Sequence, residues 1–457
     1  MNEHIIYLLP LVFSLFGAII CILPILYMDR IVSVIASILS LLSVIYILFQ
    51  PVIIDGYLYI DGLSKLLMLT IAMVYISTVL YSLSYLKHIE NLLFQHRLYY
   101  FLLNVFAAAM FFSVSMDNVG LIWVGIEATT VSSALLIATK NSQATVESAW
   151  RYVIIVSTGL VISLISITFI YGSAGTLSLH ELLLHHPDNR VFLIGILLGI
   201  VGFGTKAGIF PMHTWLPDVH GKAPAPVSAI FSGVLLPVAL YAIARLIQIY
   251  PAETIRLFAL ILGILTVAVA SLMMTVQSNY KRMFAYSSME NMGMILIGFS
   301  LGGYGLLGAV IIIISHGLAK SAVFFLTGDV LSRYHTTEIQ KVNGMILRIP
   351  RTASTLFIAA MAVTGAPPFA IFIGELFIFS ALIVQYGWLI ALVVILFLAI
   401  AFIAVNFQTG RMIFTGNENI KTERSRIETW VSIINLTLSF LTILFIPYFE
   451  LLLKNLL

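Results

Sequence analysis

Long apolar stretches, each about one membrane thickness of helix, alternate with short polar punctuation from one end of this chain to the other. They are predicted near residues 5–27, 31–53, 63–86, 98–116, 118–138, 152–173, 191–212, 225–248, 255–276, 283–302, 305–330, 353–385, 388–415 and 430–452. A helix of about 20 apolar residues crosses a hydrocarbon core about 30 Å thick. Backbone groups in lipid must bond within their own chain, so the stretches are predicted to be helices. The expected fold class is all-α, a polytopic membrane protein of about fourteen transmembrane helices. No intervening loop is long enough for a soluble domain, so residues 1–457 are expected to form one membrane domain.

Composition agrees. Hydrophobic residues make up 61% of the 457 positions, charged residues 9%, and mean hydropathy is +1.07. A soluble domain carries about 25% charged residues, so this chain lacks the polar surface to face water all round. A net charge of +3 gives no reason to expect nucleic acid. The single cysteine, Cys21, excludes cysteine-ligated iron–sulfur clusters and disulfides within the chain. Walker-type and dinucleotide-binding glycine loops are absent, and no cofactor or metal is expected. Met1–His4 contains Glu3 and no Lys or Arg, so the first run reads as a retained helix and not a cleaved signal.

Basic residues collect after odd-numbered segments: Arg30, Lys87, Arg97, Lys140, Arg151, Lys222, Lys281, Arg282, Arg333, Lys341, Arg348, Arg351, Arg411, Lys421, Arg424 and Arg426. The other face offers Lys65, Arg190, Arg245, Arg256 and Lys454. The positive-inside rule then puts both termini on the non-cytoplasmic side.

Two segments are interrupted. The seventh runs into Gly204-Thr205-Lys206-Ala207-Gly208-Ile209-Phe210-Pro211, and the twelfth contains Thr364-Gly365-Ala366-Pro367-Pro368. Broken backbone at membrane depth survives where it lines a buried or hydrated cavity. The breaks lie five helices apart, an odd offset that makes their segments antiparallel. Inverted repeats over about 98–248 and 255–415 are therefore expected, with a path at their interface; the alternative is a pair of ordinary proline kinks.

A charge at mid-bilayer costs at least about 2.5–3.5 kcal/mol on insertion scales. Glu127, Lys206, His316, Lys320 and Glu375 nonetheless fall within the apolar stretches, and Glu290 opens the tenth. Glu127 and Lys206 are expected to pair, either as a switchable proton site or as a static buried salt bridge. His316 and Lys320, four apart, share one helix face; the histidine is a relay or a packing residue. Glu375 is an exit group, or a carboxylate held by helix-terminal N–H groups. Glu290 is a proton site or an interface carboxylate facing another subunit. His213, His220 and Lys222 are candidate groups of a cytoplasmic mouth, with Asp218 as a further member or a helix cap. Asp329 and Arg333 read as a surface pair.

The segment Lys206-Ala207-Gly208-Ile209-Phe210-Pro211-Met212-His213-Thr214-Trp215-Leu216-Pro217-Asp218-Val219-His220-Gly221-Lys222, continuing to Ala229, resembles the signature of antiporter-like subunits of respiratory complex I, group 4 hydrogenases and Mrp sodium/proton antiporters. Tyr280–Ser288 and Phe372–Glu375 match further landmarks, and the resemblance covers about residues 60–410. It implies fourteen helices with discontinuous seventh and twelfth members. It also implies a proton path through Glu127, Lys206, His316, Lys320 and Glu375, and other membrane and peripheral subunits as partners in a bacterial inner membrane. Gly221–Ser228 and Glu290–Gly293 look most like component F of hydrogenase-4-type complexes, a redox assembly. The alternative is a non-redox assembly, of the Mrp or inorganic-carbon uptake kind. Complex I relatives often carry a lysine in the eighth helix where this chain reads Leu235-Leu236-Pro237-Val238-Ala239. Proline relays no proton, so the path must use water there or reach His316 and Lys320 by another route.

Overall fold

The computed structural model describes residues 5–25, 27–88, 93, 95–416 and 428–456. Met1–His4 and the loop bases Lys421, Arg424 and Arg426 lie outside the described residues. Every apolar stretch has a helical counterpart, and eleven helices among the described residues are long and apolar enough to cross a membrane by length and composition. Ile5–Cys21 and Ala370–Tyr386 are shorter apolar helices.

Boundaries moved where local chemistry overrules hydropathy. The first two helices, Ile5–Cys21 and Met28–Leu48, stop early because Pro24 and Pro51 follow and proline excludes its predecessor from helical backbone. The sixth starts early, at Gln143, because Ser142 and Thr145 form a capping box. Its first turns carry the exposed Glu147–Arg151 pair at 2.6 Å, which depresses apolarity but not helicity. A small antiparallel hairpin, Ile53–Asp55 with Leu58–Ile60, departs from the purely helical expectation.

The centre of the bundle is built from Ala225–Ile249 and Gly303–Tyr334, whose apolar windows are fully buried by neighbouring helices. A helix that is apolar all round is a core helix. Trp388–Phe414 and Thr429–Leu453 are only 28% buried and present apolar side chains outward, as lipid-facing helices do.

Both interruptions are real. Arg190–Ala207 ends at Gly208 and the chain resumes as the short helix Trp215–Lys222. The carbonyls freed there are recaptured: Gly204 O accepts from Ile209 N at 2.9 Å, and Thr205 O from Trp215 Nε1 at 2.8 Å. Pro350–Val363 and Ala370–Tyr386 flank the second break, and Phe210–Pro211 and Pro367–Pro368 are cis peptides.

Several charges assigned to loops are internal. Arg245 is 1% exposed and grips the Asp61 carboxylate through two nitrogens, at 2.6 and 2.8 Å, while lying over the Tyr59 and Tyr241 rings. Lys65 is buried and donates to Gln50 O. Lys281 sits in the first turn of Tyr280–Leu301, buried, with Nζ donating to Ala223 O at 2.6 Å. Asp329 is buried and accepts from Thr352 Oγ1 at 2.8 Å, so it is no surface group. Each exchanges water for fixed partners, which hydropathy along one strand of sequence does not reveal.

Candidate functional site

Lys206 occupies the last turn before the first break, where the carbonyl end of the helix favours a cation. It is fully buried. Its Nζ donates to Thr130 Oγ1 at 2.8 Å and to Tyr152 OH at 2.5 Å, and it lies 4.9 Å from the Tyr152 ring centre. Ser133 Oγ spends its own hydrogen on Thr130 O at 3.0 Å, so across the 2.6 Å contact Tyr152 OH donates to Ser133 Oγ.

The expected direct pair with Glu127 is not formed: no ion pair within 4.0 Å joins the two among the described residues. Glu127 faces partly outward on Val119–Ile137, and its Oε2 is buried without a hydrogen-bond partner. The two remain in electrostatic reach. Spacing along the chain does not disclose that Thr130, one turn on from Glu127, would take the near position.

Lys320 is the matching group on Gly303–Tyr334, also fully buried. Its Nζ donates to Phe284 O at 3.0 Å and Ser287 Oγ at 2.8 Å, both on Tyr280–Leu301. His316, one turn earlier, places Nε2 3.3 Å from Ser232 O. A carbonyl only accepts, so Nε2 carries the hydrogen and Nδ1, which has no partner, is the free lone pair.

Glu290 lies in mid-helix, 2% exposed, and not at a helix start. Burial within this chain removes the reading of a carboxylate facing another subunit. It feels the charges of Lys320 and Glu375, and Asn291 Nδ2 donates to its Oε2 at 2.8 Å. The same amide donates to Ser287 O at 2.9 Å and to Val363 O, the last helical residue before the second break, at 3.1 Å. Asn291 thus ties the Lys320 neighbourhood to the break. It stood in a quoted motif, but nothing in its spacing marked that role.

Glu375 is 8% exposed, and no backbone N–H holds its carboxylate among the described residues. It packs instead on Gly365, whose φ is +68°; a Cβ there would fall 2.5 Å from both carboxylate oxygens. Only glycine satisfies both the backbone and the space.

Of the accessory group, His220 is fully buried, stacked on Phe324 at 4.7 Å, and both its ring nitrogens lack partners. It senses the charges of Lys281 and Lys320. His213 sits in the first break between the Phe210 and Tyr286 rings, at 5.8 and 6.3 Å. Lys222 is half-buried at the end of Trp215–Lys222. Asp218 lies 3.5 Å from Arg282 and 3.6 Å from Arg151, so it belongs to a charged rim.

A many-helix bundle with buried lysines and carboxylates beside two broken helices defines an antiporter-like membrane subunit. The chain belongs to the family described as NADH:quinone oxidoreductase/Mrp antiporter, TM, which matches residues 116–404. It is 32% identical over 368 residues to a hydrogenase-4 component F homolog of Methylacidiphilum infernorum, covering 76% of each chain. Against hydrogenase-4 component B of Escherichia coli the identity is 28% over 72% of this chain, which spans about half (51%) of that longer relative. In fold it is similar to a chain of the archaeal membrane-bound sulfane sulfur reductase, with a TM-score of 0.89, 23% identity, and coverage of 99% and 96%.

Proposed function

We propose that this subunit moves protons along the axis Glu127, Lys206, His316, Lys320, Glu290 and Glu375, within a redox-driven membrane complex. One observation carries the reading: Lys206 and Lys320 are fully buried, yet each donates only to neutral oxygens. A static buried ion pair locks the ammonium against a carboxylate. A lysine cradled by hydroxyls and carbonyls has no such lock, and a nearby carboxylate that moves can alter its proton affinity. Buried ionisable groups inside a membrane bundle are costly and mark ion pathways.

His213, His220 and Lys222, with the Asp218 rim, form the proton entry on the cytoplasmic side, and the termini face the opposite side. Glu375, against the second break, is the exit. The two breaks relate residues 98–248 and 255–415 as inverted repeats. The similarity to hydrogenase-4 components favours a redox partner in a bacterial inner membrane over a purely cation-exchanging assembly. Metal centres and electron transfer then belong to other subunits.

The test is proton pumping by the complex purified with its native partners and reconstituted in vesicles. Lys206→Ala and Lys320→Ala are expected to abolish vesicle acidification while leaving the complex assembled. Acidification at the unaltered rate in both variants overturns the reading. Mass spectrometry of the co-purified chains identifies the driver: iron–sulfur or nickel-bearing subunits support redox coupling, and antiporter subunits alone overturn it.

A further inference from the structure

The hydrogen-bonded groups of the axis fall into two clusters. One contains Lys206, Thr130, Tyr152 and Ser133. The other runs from Lys320 through the Phe284 carbonyl, which also accepts from Ser288 Oγ at 3.1 Å, then from Ser288 Oγ to Ser232 Oγ at 2.7 Å. The Ser232 carbonyl continues it to His316. Among the described residues no hydrogen bond joins the two clusters. They meet on adjacent residues of the central helix Ala225–Ile249. Ser232 belongs to the second, while the Phe231 ring packs at 6.2 Å on Tyr152 of the first and at 5.5 Å on Phe106. Phe231 is wholly buried.

The helix changes its winding at this place. Phe231–Leu235 forms a π turn in which the Leu236 N–H bonds to Phe231 O, five residues back. In that register the next donor, to Ser232 O, would be the N–H of residue 237. Pro237 has none. The Ser232 carbonyl is therefore left without its intrahelical partner, and His316 Nε2 takes it. Pro237 thus has an indirect use: it exposes the carbonyl that orients His316. The neighbouring backbones touch, since a Cβ added at Gly233 or at Gly317 would lie 2.9 Å from the other's carbonyl oxygen. That contact holds the Ser232 carbonyl and the His316 turn in register. π turns of this kind recur at functional sites.

We infer that Phe231 is an apolar seal between the Lys206 cluster and the His316–Lys320 cluster, and that protons cross only when water enters beside its ring. Hydrophobic constrictions gate in this way, by wetting and dewetting. The inference rests on the proton-path reading and adds to it the point of control: Tyr152 OH on one side and Ser232 on the other are the groups an entering water chain joins. Phe231 touches no proton itself; it positions the barrier.

The test uses the complex with its native partners in vesicles, an imposed pH gradient and no driving substrate. Leucine and asparagine share the same branched skeleton of four side-chain heavy atoms and differ in polarity, so Phe231→Leu and Phe231→Asn both remove the ring but change wetting differently. Phe231→Asn is expected to dissipate the gradient severalfold faster than the unaltered complex, and Phe231→Leu to hold it. The leak is expected to vanish when Lys206→Ala or Lys320→Met is added to Phe231→Asn. Equal tightness of the Leu and Asn variants overturns the inference, as does a leak that persists in both double variants. Should Phe231→Asn fail to assemble, the isosteric pair Phe231→Val and Phe231→Thr makes the same comparison. Pumping that survives Lys206→Ala alone sinks the underlying path and not the seal specifically, so the two failures are told apart.

Discussion

Lys206 donates a 2.5 Å hydrogen bond to the hydroxyl of Tyr152, a residue 54 positions earlier, and not to the carboxylate of Glu127. The tyrosine is then the group that fixes where the ammonium rests. Tyr152→Phe is expected to assemble, to lose about 1–3 kcal/mol of stability from the unsatisfied buried donor, and to pump severalfold more slowly. Thermal denaturation in detergent and vesicle acidification measure the two effects; an unchanged pumping rate would remove Tyr152 from the path.

Glu127 acts on Lys206 at a distance, through its charge. Glu127→Gln keeps the bonds to Thr130 and Tyr152 intact, so assembly and thermal stability are expected to stay near the unaltered values. Pumping is expected to fall, because the charge that biases Lys206 is gone. Undiminished acidification in this variant would mean that the static arrangement around Thr130 and Tyr152 suffices.

Gly365 carries no functional group, yet its replacement is expected to be as damaging as loss of an ionisable residue. Gly365→Ala forces a side chain onto the Glu375 carboxylate at a positive φ. Pumping is expected to drop to the level of Glu375→Gln, and combining the two substitutions to add little further. Independent, additive losses in that double variant would separate the glycine from the glutamate.

Asp61 and Arg245 make a contrasting case. Both are buried, and the pair is closed, bidentate and braced by Ser64 at 3.0 Å. Removing one partner of such a pair costs about 3–5 kcal/mol. Arg245→Met is expected to lower the yield and the melting temperature sharply, while each assembled complex pumps at its usual rate. A pumping defect with normal stability would make this pair part of the path.

Asn291→Leu keeps the shape and removes an amide whose two N–H hydrogens are shared among Ser287 O, Glu290 and Val363 O. It is expected to slow pumping by uncoupling Glu290 from the second break. Gradient measurements alongside Glu290→Gln check whether the two act as one unit.

Much of this was legible in the sequence. The helices, both breaks and the burial of Lys206, His316, Lys320 and Glu375 follow from apolar length and from the cost of charge in lipid. Partnerships were harder. Glu127 and Lys206 read as a pair because opposite charges near each other suggest one, but hydroxyls at Thr130 and Tyr152 are invisible to charge counting. Arg245, Lys65 and Lys281 read as loop bases because they lie near segment ends, where only tertiary contacts decide between water and protein. Pro237 read as an interruption of the path, and its effect on a carbonyl five residues earlier emerged only from the π winding.

The enclosure of Ala225–Ile249 and Gly303–Tyr334 by surrounding helices has a bearing on how such a subunit listens to its neighbours. Lys320 and His316 lie in the stretch of Gly303–Tyr334 that neighbouring helices of this chain enclose. A signal from outside must reach them through the rotation of an intervening helix or through an electric field that crosses the packed layer unaided. A field needs no moving parts, whereas a mechanical signal requires an intervening helix to move. Relay by field suits a core whose own groups are spaced within electrostatic earshot of one another.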